Sequence, residues 1–524
     1  MANVNHKKSV LNGITVLGIT GIICKLIGVL FRIPLAWLIG DEGLGIYQMV
    51  FPTYAMLLTI SSAGLPVAIS RMISFSLAEN NPRNAHKIFK IALYLLAIIG
   101  FITTVLMIAG SNWLALRVGD EKTKFGFIAI APSLFLVCVM SAFRGYTQGH
   151  SDMQPTAISQ LVEQVGKVGF ALPLAYLGAR IDIGFAAAGA LLGTSIAEFF
   201  ALIYIYFKYK KVKKNFKTIN QDLSRPIESA RVIIRRLAAL AVPITLGACV
   251  IPFAGFVDSA MLVNRLRSIG FTLEQARSAF GLYSGLVITL INVPTALAVA
   301  ISMSLVPAIS SAMALNNYDS IARQSNLGIR YAFIIGLPSS LGMSLLAKEL
   351  LYFFYSSLGA DNINLAASLL EISSFTIVLF TVVQATSGIL QGLNKSKIPM
   401  YTLAIGVVLK IIINYTLVGV PQVNIFGAPI ASLVCYTVST IPNLYYVSKY
   451  GRLKFDLENY ILRPGAATLV MGIVVYILKK LLPFSRLSTI VLLLIGVIVY
   501  AFAAIVFKAL NKNDLKMLKR GAKA

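Results

Sequence analysis

Lys25, Arg32, Arg71, Lys167 and Lys410 are cationic side chains that fall within, or at the ends of, long apolar runs. A charge left facing lipid near the bilayer centre costs roughly 2.5–3.5 kcal/mol, so each must meet water, a partner or a ligand. Lys25 and Arg32 are seven residues apart, which places them on one helical face two turns from each other. Gly18, Gly21 and Gly28 share that run, and no acid occurs before Asp41. Lys and Arg on a hydrated wall suit an anion, and Arg in particular grips phosphate oxygens in bidentate fashion. The expected ligand is therefore an anionic, phosphate-bearing molecule.

Each cation also has a structural reading. Lys167 follows Glu163 by four residues, a spacing that favours an ion pair along one helix. Arg71 and Arg144 stand near span ends and could snorkel to headgroups. Lys410 has Glu371 as a candidate partner, while Asp258 and Glu198 are candidates for Lys25 and Arg32. The same three acids, Glu198, Asp258 and Glu371, are the candidates for ion coupling.

The elements that must position these groups are about fourteen apolar runs, spread from Leu11 to Leu510 and each near the roughly 20 residues a helix needs to cross a bilayer. The expected fold is an all-α polytopic membrane protein. The chain carries 46 Lys+Arg against 20 Asp+Glu. Sorted by loop, the basic residues place both termini on the cytoplasmic side, although Lys479, Lys480 and Arg486 argue the other way. This excess fits topology and anionic lipid, and no nucleic-acid partner is expected. Lys7 and Lys8 precede a first run that continues to about Leu38 without a small-residue cleavage site, so it reads as a retained anchor.

Cys24, Cys138, Cys249 and Cys435 all fall inside runs, which indicates neither a disulfide framework nor a metal cluster. His6, His86 and His150 lie in cytoplasmic segments, leaving none for acid–base catalysis within the membrane. Gly184-Phe-Ala-Ala-Ala-Gly189 lacks the Lys-Ser/Thr ending of a phosphate-binding loop and reads as helix packing. No enzyme activity and no cofactor are expected. Pro34, Pro66, Pro243, Pro252, Pro294, Pro338 and Pro442 should kink spans.

The chain also repeats itself. Gly45–Tyr47 matches Gly281–Tyr283, 236 positions on. Leu65-Pro-Val-Ala-Ile-Ser70 resembles Leu305-Val-Pro-Ala-Ile-Ser310 at an offset of 240, and Gln148-Gly149 matches Gln391-Gly392 at 243. A lysine follows each Gln-Gly pair, Lys167 and Lys410. The matches pair runs six apart, so two six-helix lobes related by a pseudo-two-fold along the membrane normal are expected, with a cavity between them. The organisation reads as an N-lobe (1–207), a basic cytoplasmic linker (208–236), a C-lobe (237–450), and two further helices with a basic tail (451–524).

Gly43-Leu-Gly-Ile-Tyr-Gln48, Gly64-Leu-Pro-Val-Ala-Ile-Ser-Arg71 and Arg144-Gly-Tyr-Thr-Gln-Gly149, continuing through Met153, Pro155, Ser159-Gln160 and Glu163-Gln164, resemble the stage V sporulation protein B family. That family belongs to the polysaccharide-transport branch of the multidrug/oligosaccharidyl-lipid/polysaccharide exporter superfamily and is similar to MurJ-type lipid II flippases. The resemblance covers essentially the whole chain, and its signature residues are Arg144, Gly145, Tyr146, Gln148, Gly149, Gln160, Glu163 and Gln164. It implies alternating access, a groove for a lipid tail at the two last helices, and outward movement of a lipid-linked peptidoglycan precursor for the spore cortex. Bacterial cell-membrane location and contact with cell-wall synthesis enzymes are further implications. Basic residues that meet pyrophosphate in MurJ-type members carry over to Lys25, Arg32 and Arg71. Tyr283-Ser-Gly285 departs from the pattern by supplying no basic residue, and relatives often have Arg where this chain has Lys167. The competing readings are a cation-coupled multidrug antiporter, which needs an intramembrane carboxylate, and a non-transporting membrane scaffold.

Overall fold

Lipid offers a backbone no hydrogen-bond partner, so long apolar runs must satisfy their own N–H and C=O groups as helices. The computed structural model describes residues 2–216, 226–453 and 456–510, and the chain divides into two compact units at Gly281/Leu282. The first unit holds α1 (Ala2–Ser62), α2 (Leu65–Ala78), α3 (Pro82–Ala109), α4 (Ser111–Val118), α5 (Thr123–Gly149), α6 (Gln154–Ala179), α7 (Ile183–Phe216), α8 (Ala230–Ser268) and α9 (Leu273–Phe280). The second holds α10 (Ile288–Ala314), α11 (Tyr318–Leu345), α12 (Ala347–Tyr355), α13 (Ala360–Ser373), α14 (Phe375–Gly392), α15 (Lys397–Leu417), α16 (Gly427–Gly451), α17 (Arg463–Leu481) and α18 (Arg486–Val506). Every regular element among the described residues is a helix.

By length and apolarity, 11 stretches among the described residues can cross a bilayer, or 12 if Tyr318–Leu345 and Ala347–Leu358, bent by 74°, form one span. The sequence-based expectation was about fourteen. The difference is physical: one stretch, Ile23–Ala78, contains the first two expected centres. α6 is long enough but is not among the apolar stretches, because Gln160, Glu163, Gln164 and Lys167 interrupt it. Gly40, at φ 67° and ψ −174°, breaks α1 internally, a backbone geometry that glycine adopts without strain. Pro66 does not kink a span; it sits in the first turn of α2, where its missing N–H has no intrahelical acceptor anyway. α7 runs on to Phe216 and α8 starts at Ala230, so much of the basic stretch 208–236 is helical; residues 217–225, 454–455 and 511–524 lie outside the described residues.

Within the first unit, Leu65, Ile69 and Ile73 of α2 pack with Ile88 and Phe89 of α3, Met140 and Phe143 of α5, and Ile205 of α7. In the second, Ile309 of α10, Ile329 and Phe333 of α11, and Val382 and Ile389 of α14 form the corresponding core. α17 and α18 pack on the end of α11 and on α12 through Leu346, Leu350, Met471, Val475 and Leu492. The outer face of α18 leaves Leu494, Val497, Ile498 and Phe502 exposed, as a lipid-facing helix would.

The repeat is visible as the same close crossing made once in each unit. A side chain at Gly149 would meet Ile73 Cβ at 2.8 Å and the Ser70 carbonyl at 3.2 Å; at Gly392 it would meet Ile309 Cβ at 2.8 Å and the Val306 carbonyl at 3.1 Å. Ser74 donates to the Gly149 carbonyl (2.8 Å) just as Ser310 donates to that of Gly392 (3.2 Å). These pairs correct the alignment: Ser310 answers to Ser74, not Ser70, and the offset of 236 seen at Gly45/Gly281 holds here too. We expect Gly149→Leu and Gly392→Leu each to destabilise the protein by about 1–3 kcal/mol through overpacking. Thermal unfolding in detergent, with both variants losing comparable amounts, checks this.

Candidate functional site

The chemistry expected of α1 and α6 is assembled inside the first unit. The two segments run side by side: Cys24 is within electrostatic range of Glu163 and Arg144, Gln164 Oε1 lies 3.8 Å from where a side chain on Gly28 would begin, and Phe31 faces Lys167. Lys25 is exposed on this face and has no hydrogen-bond or ion-pair partner among the described residues. Arg32, two turns on, is half-buried.

Glu163 is not the partner of Lys167. Its carboxylate accepts from Arg144 Nη2 at 3.1 Å, while Arg144 Nε donates to Ser159 Oγ at 3.0 Å. Arg144 therefore does not snorkel; it bridges α5 and α6, half-buried. The turn between these helices brings residues 144 and 163 together and leaves Lys167 one turn beyond. Lys167 Nζ instead sits over three aromatic faces, 5.3 Å from the Phe31 centroid, 6.0 Å from Tyr47 and 5.0 Å from Phe51. Such contacts contribute about 0.5–2 kcal/mol and hold a cation without neutralising it. Its positive charge stays available to an anion.

α7 adds Glu198, 3 % exposed, whose Oε2 has no hydrogen-bond partner among the described residues. The charges that act on it are Glu163, Arg144 and Lys167. Tyr54 of α1 is also buried here, near Ser133 and within electrostatic range of Glu198 and Glu163. Glycines let these helices close: at Gly189 and Gly193 of α7, side chains would collide with the backbone of α6, the packing role expected of the Gly184–Gly189 stretch.

The remaining candidates lie elsewhere. Arg71 is exposed on α2 and, with Glu79, Asn84, Glu228 and Arg236, lines a separate cavity of about 330 Å³. Asp258 is half-buried on α8. In the second unit, Lys410 is half-buried on α15 and Glu371 exposed on α13. Of the signature residues, Gly145 and Gly149 pack on α2, Tyr146 stacks against Phe89 and His150 with ring centroids 4.8 and 4.2 Å away, and Gln148 donates to Thr156 (3.2 Å). Gln160 and Gln164 are half-buried on α6. The four cysteines are free thiols, and no group of three metal-ligating side chains occurs among the described residues. His86 is in the first turns of α3 and His150 just past α5, while the side chain of His6 lies outside the described residues.

Two buried arginines were missed by the sequence reading. Arg277 of α9 donates from Nε and Nη2 to the carboxylate of Asp120, the latter at 2.7 Å, with Glu42 at 3.8 Å and Ser278 bonded to Asp41 beside it. Asp41 and Arg277 are themselves 236 apart, and each gives its carbonyl to the other segment's crossing glycine, Gly281 and Gly45. Extending the Gly45/Gly281 match by one turn would have found them. Arg330 of α11 donates from Nε and Nη2 to the Ala509 carbonyl, and its position in an apolar run was the available signal.

These features define a polytopic α-helical membrane protein with a cluster of charged side chains in its first unit. The chain belongs to the family described as Polysaccharide biosynthesis protein, which matches residues 10–313, and residues 283–416 match the family described as MatE. It is similar to stage V sporulation protein B of Bacillus subtilis (strain 168), 25 % identical with 98 % of both chains covered. It is also similar to the lipid II flippase MurJ of the same organism, 25 % identical over 90 % of this chain and 89 % of that one. Among solved structures, lipid II flippase MurJ in an inward closed conformation shares its fold at TM-score 0.73 and 13 % identity, covering 94 % and 98 %. A multidrug resistance MATE family transporter in an inward-facing conformation shares it at TM-score 0.66 and 17 % identity, covering 83 % and 99 %. The chain is thus a multi-pass membrane member of the Polysaccharide biosynthesis protein family, with a fold shared by a flippase and a multidrug transporter.

Two outcomes follow from the geometry. Arg144→Ala leaves the Glu163 carboxylate without its cation and should cost roughly 3–5 kcal/mol, with part recovered in the Arg144→Ala/Glu163→Ala double variant, as a double-mutant cycle on unfolding would measure. Burial pushes the His150 imidazole below its ordinary 6.5, against the opposing pull of the Tyr146 carbonyl and Asp152. A depressed imidazole favours the neutral folded state, so this contribution is present above about pH 6.5 and lost as pH falls through the lower folded value. Unfolding temperature measured across that range should fall more steeply for the wild type than for His150→Gln.

Proposed function

We propose that the protein is an alternating-access flippase for an anionic lipid-linked oligosaccharide, a lipid II-like peptidoglycan precursor destined for spore cortex. The observation that carries this is the cationic face of α1 and α6: Lys25 exposed without a counter-ion among the described residues, and Lys167 held by aromatic rings rather than by a carboxylate. A diphosphate headgroup supplies the charge that such groups lack, and Arg32 adds a bidentate donor on the same face. The similarity to proteins named as a sporulation protein and a lipid II flippase supports the cargo class. Basic residues sorted by loop support cytoplasmic termini, so that cargo enters from the side where such precursors are assembled. Cell-wall synthesis enzymes are the expected partners downstream.

The antiporter reading draws on Glu198, a buried carboxylate, and on the fold shared with a MATE transporter. It requires export that depends on the acid and ignores the cations. Loss of one charge-assisted contact, worth about 1.5–3 kcal/mol, corresponds to roughly tenfold or more in affinity. Lys25→Ala and Arg32→Ala at normal protein levels should therefore lower the exposure of lipid-linked precursor outside the cell by at least about that factor. Unchanged exposure, or drug efflux that survives both substitutions, would refute the headgroup reading.

A further inference from the structure

Glu198 is anomalous for a membrane interior. It stands on an apolar helix, 3 % exposed, and among the described residues one of its carboxyl oxygens has no hydrogen-bond partner and no cation is in ion-pair contact with it. Arg144, whose guanidinium is within electrostatic range, is already bonded to Glu163 and Ser159, and Lys167 is held over Phe31, Tyr47 and Phe51. A carboxylate that is buried, ionised and unpaired would cost several kcal/mol, whereas a neutral carboxyl group in the same place costs far less.

The titratable and charged groups around it come from every helix packed against α7. α1 contributes Tyr54, α5 contributes Arg144 and Cys138, and α6 contributes Glu163 and Lys167. Two of these are cations that support the ionised form of Glu198, and one is an anion that opposes it. The balance is therefore set in part by Lys167, which also faces the proposed headgroup. An anion engaging Lys167 removes part of the cationic support, and the carboxylate then takes up a proton.

We propose that Glu198 is a proton-binding site coupled to the cargo site, so that the arrival of an anionic headgroup and the uptake of one proton at Glu198 favour each other. The inference rests on the headgroup reading above and deepens it by naming what drives the change in charge. The balance is simple: one proton from water joins the carboxylate as cargo binds and returns to water as cargo leaves, with no oxidant or reductant involved. By linkage, lower pH must tighten cargo binding by the same factor by which cargo favours protonation. Moving the proton with the anion also reduces the net charge carried through a low-dielectric region, which is where charge is most costly.

The test uses the full chain in lipid nanodiscs with farnesyl pyrophosphate, a prenyl tail bearing the anionic headgroup chemistry, as probe. Binding to the wild type should tighten by at least about fivefold as pH is lowered through the titration of Glu198, the lower end of ordinary coupling between sites. Glu198→Gln, which is isosteric and cannot ionise, should bind with little of that dependence; the probe's own ionisation is common to both proteins and cancels in the comparison. Infrared spectroscopy should show a protonated carboxylic acid band in the wild type that is missing from Glu198→Gln. Equal pH dependence in the two proteins, or no band assignable to Glu198 at any pH, would overturn the inference while leaving the flippase reading intact. Failure of both proteins to bind the probe would instead remove the headgroup reading, and the infrared band would then decide alone whether Glu198 holds a proton.

Discussion

Hydrocarbon does not solvate charge, and the arrangement of this protein follows from how each intramembrane charge is accommodated. Three solutions are visible. Arg144 and Glu163 neutralise one another across α5 and α6. Arg277 and Asp120 do the same, buried to 9 % and 0 % exposure of their side chains. Arg330 donates to a backbone carbonyl at Ala509. Lys167 rests on aromatic faces and Lys25 stays exposed. The two ion pairs are internally complete, and the last kind leaves positive charge for something else to meet.

Better than position along the chain does, that distinction separates charges met within the protein from charges that are not. Arg144 and Lys167 both belong to the stretch that carries the family resemblance, yet one is spent in a helix–helix bridge and the other is not. Much of the same stretch is architectural: Gly145 and Gly149 allow α5 to touch α2, and Tyr146 fills the aromatic cluster around Phe89. Positioning is thereby supplied by glycine crossings and the chemistry by a few polar positions on α6. The helix too polar to count as a span by composition is the one that organises the site.

The duplicated crossing at Gly149 and Gly392 shows the same economy. In each unit an isoleucine covers the glycine and a serine one residue later donates to its carbonyl, so backbones approach closely while a polar group is satisfied. Small residues and interhelical hydrogen bonds are the means of association open to helices in lipid, where apolar burial drives little. Their recurrence at an offset of 236 on one side and 243 on the other is physical support for the internal duplication, independent of the letters that first suggested it.

Much of this was determined by sequence alone: helices, because lipid permits no other use of long apolar runs; duplication, because glycine-marked motifs recur; and the suspicion attached to Lys25, Arg32 and Lys167, because charge in lipid must be answered. Pairing was decided only by tertiary structure. Lys167 is four residues from Glu163 along the chain and Arg144 nineteen, yet the turn from α5 into α6 gives Glu163 the more distant one. The aromatic seat of Lys167 draws on residues 31, 47 and 51, and the surroundings of Glu198 on four helices, so neither leaves a local signal. Electrostatic partnership depends on distance through space, and a sequence records only distance along the chain.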